Sequence, residues 1–86
     1  MDTEYKIILS NKFDKTFSRL DKNIQNQIVE RLMDLSKNPK TGKPLKGKFK
    51  GLRSLRAGKY RILYEIRENL LLIVVIAIGH RKKVYE

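Results

Sequence analysis

The hydrophobic positions of the chain change their period from two to about 3.6 and back, which predicts a strand, two helices and then three more strands. Residues 4–9 alternate weakly and predict the first strand, after which Ser10 or Asn11 can cap a helix. The apolar stripe of that helix consists of Phe13, Phe17 and Leu20.

A second helix is predicted over residues 22–37, with Asp21 as its cap and the Asn38-Pro39 pair as its end. Its apolar positions recur at helical spacing, and they are Ile24, Ile28, Leu32 and Leu35, with Val29 and Met33 widening the stripe. Because so few residues join the two helices, they should form a hairpin.

The second half of the chain predicts a loop and three strands. Residues 40–51 interleave lysines with glycines and a proline, a composition typical of a mobile loop. Strands are predicted over residues 52–57 and 60–66, with Gly58-Lys59 as the hairpin turn between them. A turn at residues 67–69 leads to an apolar strand over residues 70–78.

These elements predict an α+β fold in one domain spanning residues 1–86. An N-terminal strand and a two-helix hairpin precede a three-stranded antiparallel segment, and the helices pack on one face of a single small sheet. Alternation along residues 60–66 places Tyr60 and Ile62 under the helices and Arg61 on the open face. The same alternation in the last strand groups Val75, Ala77, Gly79 and Arg81 on one face, and a bulge would invert this grouping.

Positive charge is concentrated in the middle of the chain. Residues 37–61 contain ten Lys or Arg and no Asp or Glu, so they account for +10 of the formal net charge of +11. Such a local field favours a polyphosphate partner, and the alternative is a solubilising loop.

Composition excludes several kinds of site. The chain has no Cys, one His and scattered acidic residues, which argues against disulfides, thiol chemistry, a metal site or another cofactor. Charged residues near the N-terminus interrupt any export signal, and the longest apolar run is about half of a membrane-spanning helix. We therefore expect a cytoplasmic protein with no membrane partner.

Four side chains remain as candidates for chemistry on RNA. Arginines bind phosphate oxygens bidentately, so Arg61 and Arg81 could stabilise charge on a scissile phosphate. The alternative for each is a surface arginine paired with Glu65 or Glu68. His80 can titrate near neutrality, or it can be a strand-end residue bonded to backbone. Tyr85 can stack on a base, or pack as the other tyrosines of the chain do.

Two motifs resemble the RelE branch of the RelE/ParE toxin superfamily. They are GLRSLRAGKYRILYEI at residues 51–66 and IGHRKKVY at residues 78–85, and their order and the preceding helix hairpin also fit. The resemblance implies a type II toxin–antitoxin toxin that cuts messenger RNA on the ribosome and is neutralised by a RelB-like antitoxin.

Carried onto this sequence, the resemblance implies catalytic roles for Arg61 and Arg81 on the phosphate and for Tyr85 on the base. His80 is added as a catalytic candidate for proton transfer because of its own chemistry. Further cations are predicted to contact RNA or the ribosome, and they are Lys46, Lys48, Lys50, Arg53, Arg56, Lys82 and Lys83. Where the best-studied branch has lysines, this chain has Leu52 and Ser54, so the general base stays open between His80 and a loop lysine. Two alternatives are a ParE-like inhibitor of DNA gyrase and a non-catalytic module that binds RNA or the ribosome.

Overall fold

The computed structural model describes residues 4–80, which form one five-stranded sheet with two helices on one of its faces. The elements are β1 (Lys6–Leu9), α1 (Asn11–Ser18), α2 (Lys22–Lys37), β2 (Lys43–Pro44), β3 (Arg53–Ala57), β4 (Tyr60–Arg67) and β5 (Leu72–His80). Strand order is β1-β5-β4-β3-β2, with β1 parallel to β5 and every other pair antiparallel. The predicted α+β class is confirmed.

The core lies between the helices and the inner face of β3, β4 and β5. On β4 the alternation predicted from sequence is confirmed, since Ile62 and Tyr64 are fully buried in this cluster. The other members are Phe13, Ile28, Leu32, Leu35, Leu55, Ala57, Ile73, Val75 and Ile78. Burial of these apolar side chains is the main source of stability in a chain without disulfides.

Local signals set the ends of both helices. Ser10 caps α1, because its Oγ accepts a hydrogen bond of 3.0 Å from the Phe13 amide. α2 ends at Lys37, directly before the Asn38-Pro39 pair, as predicted. The apolar stripe of α2 is narrower than expected, since Val29 and Met33 are 44% and 57% exposed and face away from the sheet.

The segment predicted as a loop over residues 40–51 is more ordered than expected. It contains the short strand β2 between two 3-10 turns, Pro39–Thr41 and Gly47–Phe49. β2 pairs with β3 through Lys43 opposite Ser54 and Pro44 opposite Arg53. A two-residue strand that includes a proline has no alternation to detect, which is why the sequence pattern missed it.

The last strand begins two residues later than predicted, because Leu70 and Leu71 form a turn in which Leu71 adopts a left-handed φ of 52°. A register shift then interrupts its pairing with β4: Leu63 lies opposite Ala77, whereas Tyr64 lies opposite Val75. Ile76 is therefore an extra residue that reverses the alternation.

This bulge corrects one prediction about the open face. Val75 is fully buried in the core on the helix side, so its predicted grouping with Ala77 and Gly79 is wrong. Arg61 lies opposite Gly79, and the predicted position of Arg61 on the open face is confirmed, so Gly79 lies on that face too. Ser10 completes the bulge, since its Oγ donates a hydrogen bond of 2.6 Å to the Ile76 carbonyl.

Among residues 4–80, no helix is long and apolar enough to cross a membrane.

Candidate functional site

Arg61 lies near the start of β4, the strand between β5 and β3, on the open face of the sheet. It pairs with Arg56 on β3 and with Gly79 on β5, and directly paired residues project to the same face. The Arg61 side chain is half-buried, and its Nη1 donates a hydrogen bond of 3.3 Å to Ser54 Oγ. The contact with Ser54 holds the guanidinium against the open face of the sheet.

A pocket of about 290 Å³ opens beside this arginine. It lies at the edge of β3, where β2 is too short to cover Leu55 and Arg56. Its described lining residues are Arg31, Thr41, Gly42, Lys43, Ser54, Leu55, Arg56 and Arg61. We call this space the edge pocket.

Four of the described lining residues carry a positive charge and none is acidic. An acid does contact one of these cations from outside the lining: Asp34 Oδ2 lies 2.9 Å from Nη1 of Arg31. The hydroxyl-bearing residues Thr41 and Ser54 line the same space. Guanidinium groups with neighbouring hydroxyls provide the donors that phosphate oxygens accept, so the chemistry of the edge pocket suits a phosphate.

Tyr64 holds the segment 39–42, which forms one wall of the edge pocket. Its hydroxyl donates a hydrogen bond of 2.6 Å to the Pro39 carbonyl and accepts one of 2.9 Å from the Gly42 amide. Burial raises the pKa of the Tyr64 phenol above its ordinary value, against smaller lowering effects of the Gly42 amide and the Arg53 charge. The phenol therefore stays protonated and able to donate.

Arg53 reinforces the same contact from β3. Its Nη1 donates hydrogen bonds to the Gly42 carbonyl at 2.6 Å and the Lys40 carbonyl at 3.4 Å. Gly42 fits closely here, since a Cβ on it would lie 2.6 Å from the Tyr64 hydroxyl oxygen and 2.8 Å from the Ser54 carbonyl oxygen. We call these contacts of Tyr64 and Arg53 with residues 39–42 the loop clamp.

The structure brings two of the predicted functional residues together, Arg56 and Arg61, which both line the edge pocket. Arg53 is engaged in the loop clamp. Three further cations are exposed around the second 3-10 turn, and they are Lys46, Lys48 and Lys50. Their predicted contacts with RNA stay predictions.

His80 lies at the end of β5, opposite Tyr60, with 6.0 Å between the ring centroids. Since neighbours along a strand project to opposite faces, the residue next to Gly79 projects away from the face of Arg61. The remaining predicted site residues lie outside the described residues 4–80, and they are Arg81, Lys82, Lys83 and Tyr85.

Sequence reasoning missed Arg31, Thr41, Lys43 and Ser54 as parts of one pocket. A weak signal existed for Arg31, because it stands three residues after Ile28 and four before Leu35, and thus on the flank of the buried stripe of α2. The sequence comparison with the RelE branch shows Ser54 only as a position without the family's lysine, yet Ser54 contacts the guanidinium of Arg61.

No group of three or more His, Cys, Asp or Glu side chains within residues 4–80 could hold a metal ion. The residues that the structure describes form a small basic α+β fold with a cationic pocket at the edge of its sheet. Over residues 7–85 the sequence matches the family described as "ParE toxin of type II toxin-antitoxin system, parDE". The chain therefore belongs to this toxin family, which confirms its resemblance to the RelE/ParE superfamily.

Similar proteins carry RelE-type names. Toxin RelE of Mycobacterium tuberculosis is 31% identical over 86 residues, covering 98% of this chain and 89% of that protein. Toxin RelG of the same organism is 40% identical over 53 residues, which are 60% of this chain and only 61% of RelG. The crystal structure of the RelBE2 toxin–antitoxin complex of M. tuberculosis contains a chain with a TM-score of 0.85 and 30% identity, covering 94% of this chain and 98% of that one.

Proposed function

We propose that this toxin is an endoribonuclease that cleaves messenger RNA on the ribosome. The observation that carries the proposal is the edge pocket, where Arg56 and Arg61 meet on a rigid sheet with no acid among the described lining residues. RelE-type relatives add support by family membership. A fixed guanidinium is suited to stabilising the charge that develops on a phosphate during cleavage.

The proposed reaction uses the RNA's own 2′-hydroxyl as the nucleophile. Its oxygen bonds to the adjacent phosphorus while the bond from phosphorus to the 5′-oxygen breaks, which leaves a 2′,3′-cyclic phosphate and a 5′-hydroxyl. The proton lost by the 2′-hydroxyl is balanced by the proton that the leaving oxygen gains. Arg61 and Arg81 neutralise the phosphorane, and Tyr85 orients the base.

Proton transfer is assigned to His80 or to a lysine of residues 46–50. The strand alternation, which directs His80 away from the face of Arg61, favours a lysine as the general base. In this case the 2′-hydroxyl of the RNA must be positioned close to that lysine. Binding of the message to the ribosome would provide such positioning.

We further propose a RelB-like antitoxin as the partner that neutralises this toxin. Support comes from structures such as the RelBE2 toxin–antitoxin complex, whose toxin chain shares this fold. A cationic site on an open sheet face is complementary to an acidic or amphipathic segment of a partner.

The test is a reconstituted translation reaction with purified toxin, ribosomes and a defined message, read out by primer extension. We expect cleavage within the ribosome-bound codons, and we expect Arg61→Ala to lower its rate by about 100-fold or more. Arg67→Ala is the matched control, since this exposed arginine of the same strand pairs with Glu65 outside the edge pocket.

Two results would point to other functions. Intact messages together with loss of supercoiling by DNA gyrase would identify a ParE-like gyrase inhibitor. Ribosome binding without cleavage, unaffected by Arg61→Ala, would identify a non-catalytic binding module.

A further inference from the structure

Arg31 reaches the edge pocket from α2, not from the sheet. Its Nε donates a hydrogen bond of 3.2 Å to the Arg56 carbonyl, which anchors the guanidinium beside the uncovered edge of β3. Its Nη1 contacts Asp34 Oδ2 at 2.9 Å, and its side chain is 36% exposed. The anchored nitrogen and the carboxylate contact together hold a guanidinium in a fixed position at the pocket wall.

Lys43 stands on the other wall of the edge pocket. Its backbone is held by pairing with Ser54 on β3, and the loop clamp fixes the residue before it, Gly42. The Lys43 side chain is exposed, so its ammonium can follow a bound ligand while its backbone stays in place. Two cations from separate elements therefore flank the pocket on the side away from Arg61's strand.

The edge pocket is larger than one phosphate group requires, since its volume of about 290 Å³ approaches that of small-molecule sites. Arg61 with Ser54 forms one cluster of donors on the open face. Arg31 and Lys43 form a second cluster at the strand edge. A chain with regularly spaced negative charges can engage both clusters at once, whereas a single anion can engage only one.

We infer that Arg31 and Lys43 form a second phosphate subsite, which binds a neighbouring phosphate of single-stranded RNA when Arg61 holds the scissile phosphate. This inference rests on the proposed function, because that function supplies the RNA. The strand then crosses the uncovered edge of β3 between α2 and β2. Asp34 is the internal competitor, since it occupies Nη1 of Arg31 until a phosphate displaces it.

The first test measures binding of a short 2′-O-methyl oligoribonucleotide, which cannot be cleaved, by fluorescence anisotropy across a salt series. Arg31→Gln should weaken binding about three- to tenfold and lower the slope of log affinity against log salt by about 0.7. Arg19→Gln is the matched control, because it removes the same charge from an exposed position outside the edge pocket. Its effect should be close to zero, and a thermal melt of each variant checks that it is folded.

Oligonucleotides with one neutral methylphosphonate at successive positions locate the subsite. The loss of affinity caused by Arg31→Gln should vanish when the neutral linkage replaces the phosphate that Arg31 contacts. It should persist when the neutral linkage is at any other position. An equal penalty at every position, or no penalty relative to Arg19→Gln, overturns the subsite.

The second test removes the competing carboxylate of Asp34, and it should strengthen RNA binding instead of weakening it. Asp34→Asn should tighten binding of the same oligonucleotide, since it frees Nη1 of Arg31. Glu30→Gln removes one acidic charge from an exposed position of the same helix and corrects for the change in net charge. If the two variants tighten binding equally, Arg31 serves only to hold the helix to β3.

The two proposals fail in different ways. Absence of cleavage on the ribosome, with the position-dependent penalty intact, refutes the endoribonuclease and leaves the phosphate subsite. Cleavage with Arg31→Gln indistinguishable from Arg19→Gln refutes the subsite and leaves the endoribonuclease.

Discussion

The hydroxyl of Tyr64 provides the sharpest test of how the edge pocket is built. Tyr64→Phe removes one oxygen and keeps the ring that fills the core. The deleted oxygen donates to the Pro39 carbonyl at 2.6 Å and accepts from the Gly42 amide at 2.9 Å. Both backbone groups then lose a partner at a site where Gly42 is buried.

The expected cost follows from these two contacts. A typical hydrogen bond contributes about 1 kcal/mol net, and leaving a buried partner unsatisfied costs about 1–3 kcal/mol. We expect Tyr64→Phe to lower the free energy of unfolding by about 2 kcal/mol. For a chain of this size that corresponds to a fall in Tm of roughly 8–16 °C, measurable by calorimetry or circular dichroism.

The pH dependence of this difference has a definite sign. Burial raises the pKa of Tyr64 in the folded protein above its value in the unfolded chain. Its contribution to stability is therefore complete below the ordinary tyrosine pKa of about 10 and is lost as the pH rises through the folded pKa. The gap in stability between wild type and Tyr64→Phe should be constant at neutral pH and should narrow above about pH 10.

Tyr60→Phe is the control, because it deletes a hydroxyl from the same strand at a half-buried position outside the loop clamp. The reasoning is refuted if Tyr64→Phe is as stable as Tyr60→Phe at neutral pH. A gap that widens at alkaline pH would show instead that the phenol is bound as its anion.

Three further changes test other parts of the structure. Gly42→Ala should lower the free energy of unfolding, measured in urea, by about 1–3 kcal/mol, because the new Cβ would lie 2.6 Å from the Tyr64 hydroxyl oxygen. An unchanged urea midpoint would contradict this close fit. Ser10→Ala should lower the free energy of unfolding by about 1–2 kcal/mol in the same assay, since one Oγ both caps α1 and donates to the carbonyl of the bulged Ile76. A loss of less than about 0.5 kcal/mol, which is usual for a surface substitution, would contradict this prediction. Replacing the exposed Lys46, Lys48 and Lys50 with Gln should lower the slope of log RNA affinity against log salt by about two to three. An unchanged slope would show that these lysines serve only to keep the protein in solution.

Local patterns were sufficient to predict most of the elements. The helices were predictable because apolar residues at helical spacing and caps such as Ser10 act within a few residues. The β3–β4 hairpin was predictable because Gly58, with a φ of 60°, meets the requirement of a tight turn. The charged stretch and the two toxin-like motifs likewise needed no structure.

The candidate site was only partly predictable. Arg61 was placed on the open face correctly, since alternation along β4 is uninterrupted up to that point. Arg53 was predicted to contact RNA, but its engagement with the Gly42 carbonyl depends on a segment 11 residues away. Such a contact leaves no periodic trace in the sequence.

The sequence alone was enough to predict both helices, the four longer strands, the buried face of β4 and the region of positive charge, because each depends on neighbours close along the chain. The tertiary structure alone decided that Ile76 bulges and sends Val75 into the core, that Lys43 pairs beside β3, and that Arg31 of α2 enters the pocket of Arg61. These outcomes depend on the registry of hydrogen bonds between strands and on the space left at a sheet edge. Both are properties of residues distant in sequence, and they form only when the chain packs.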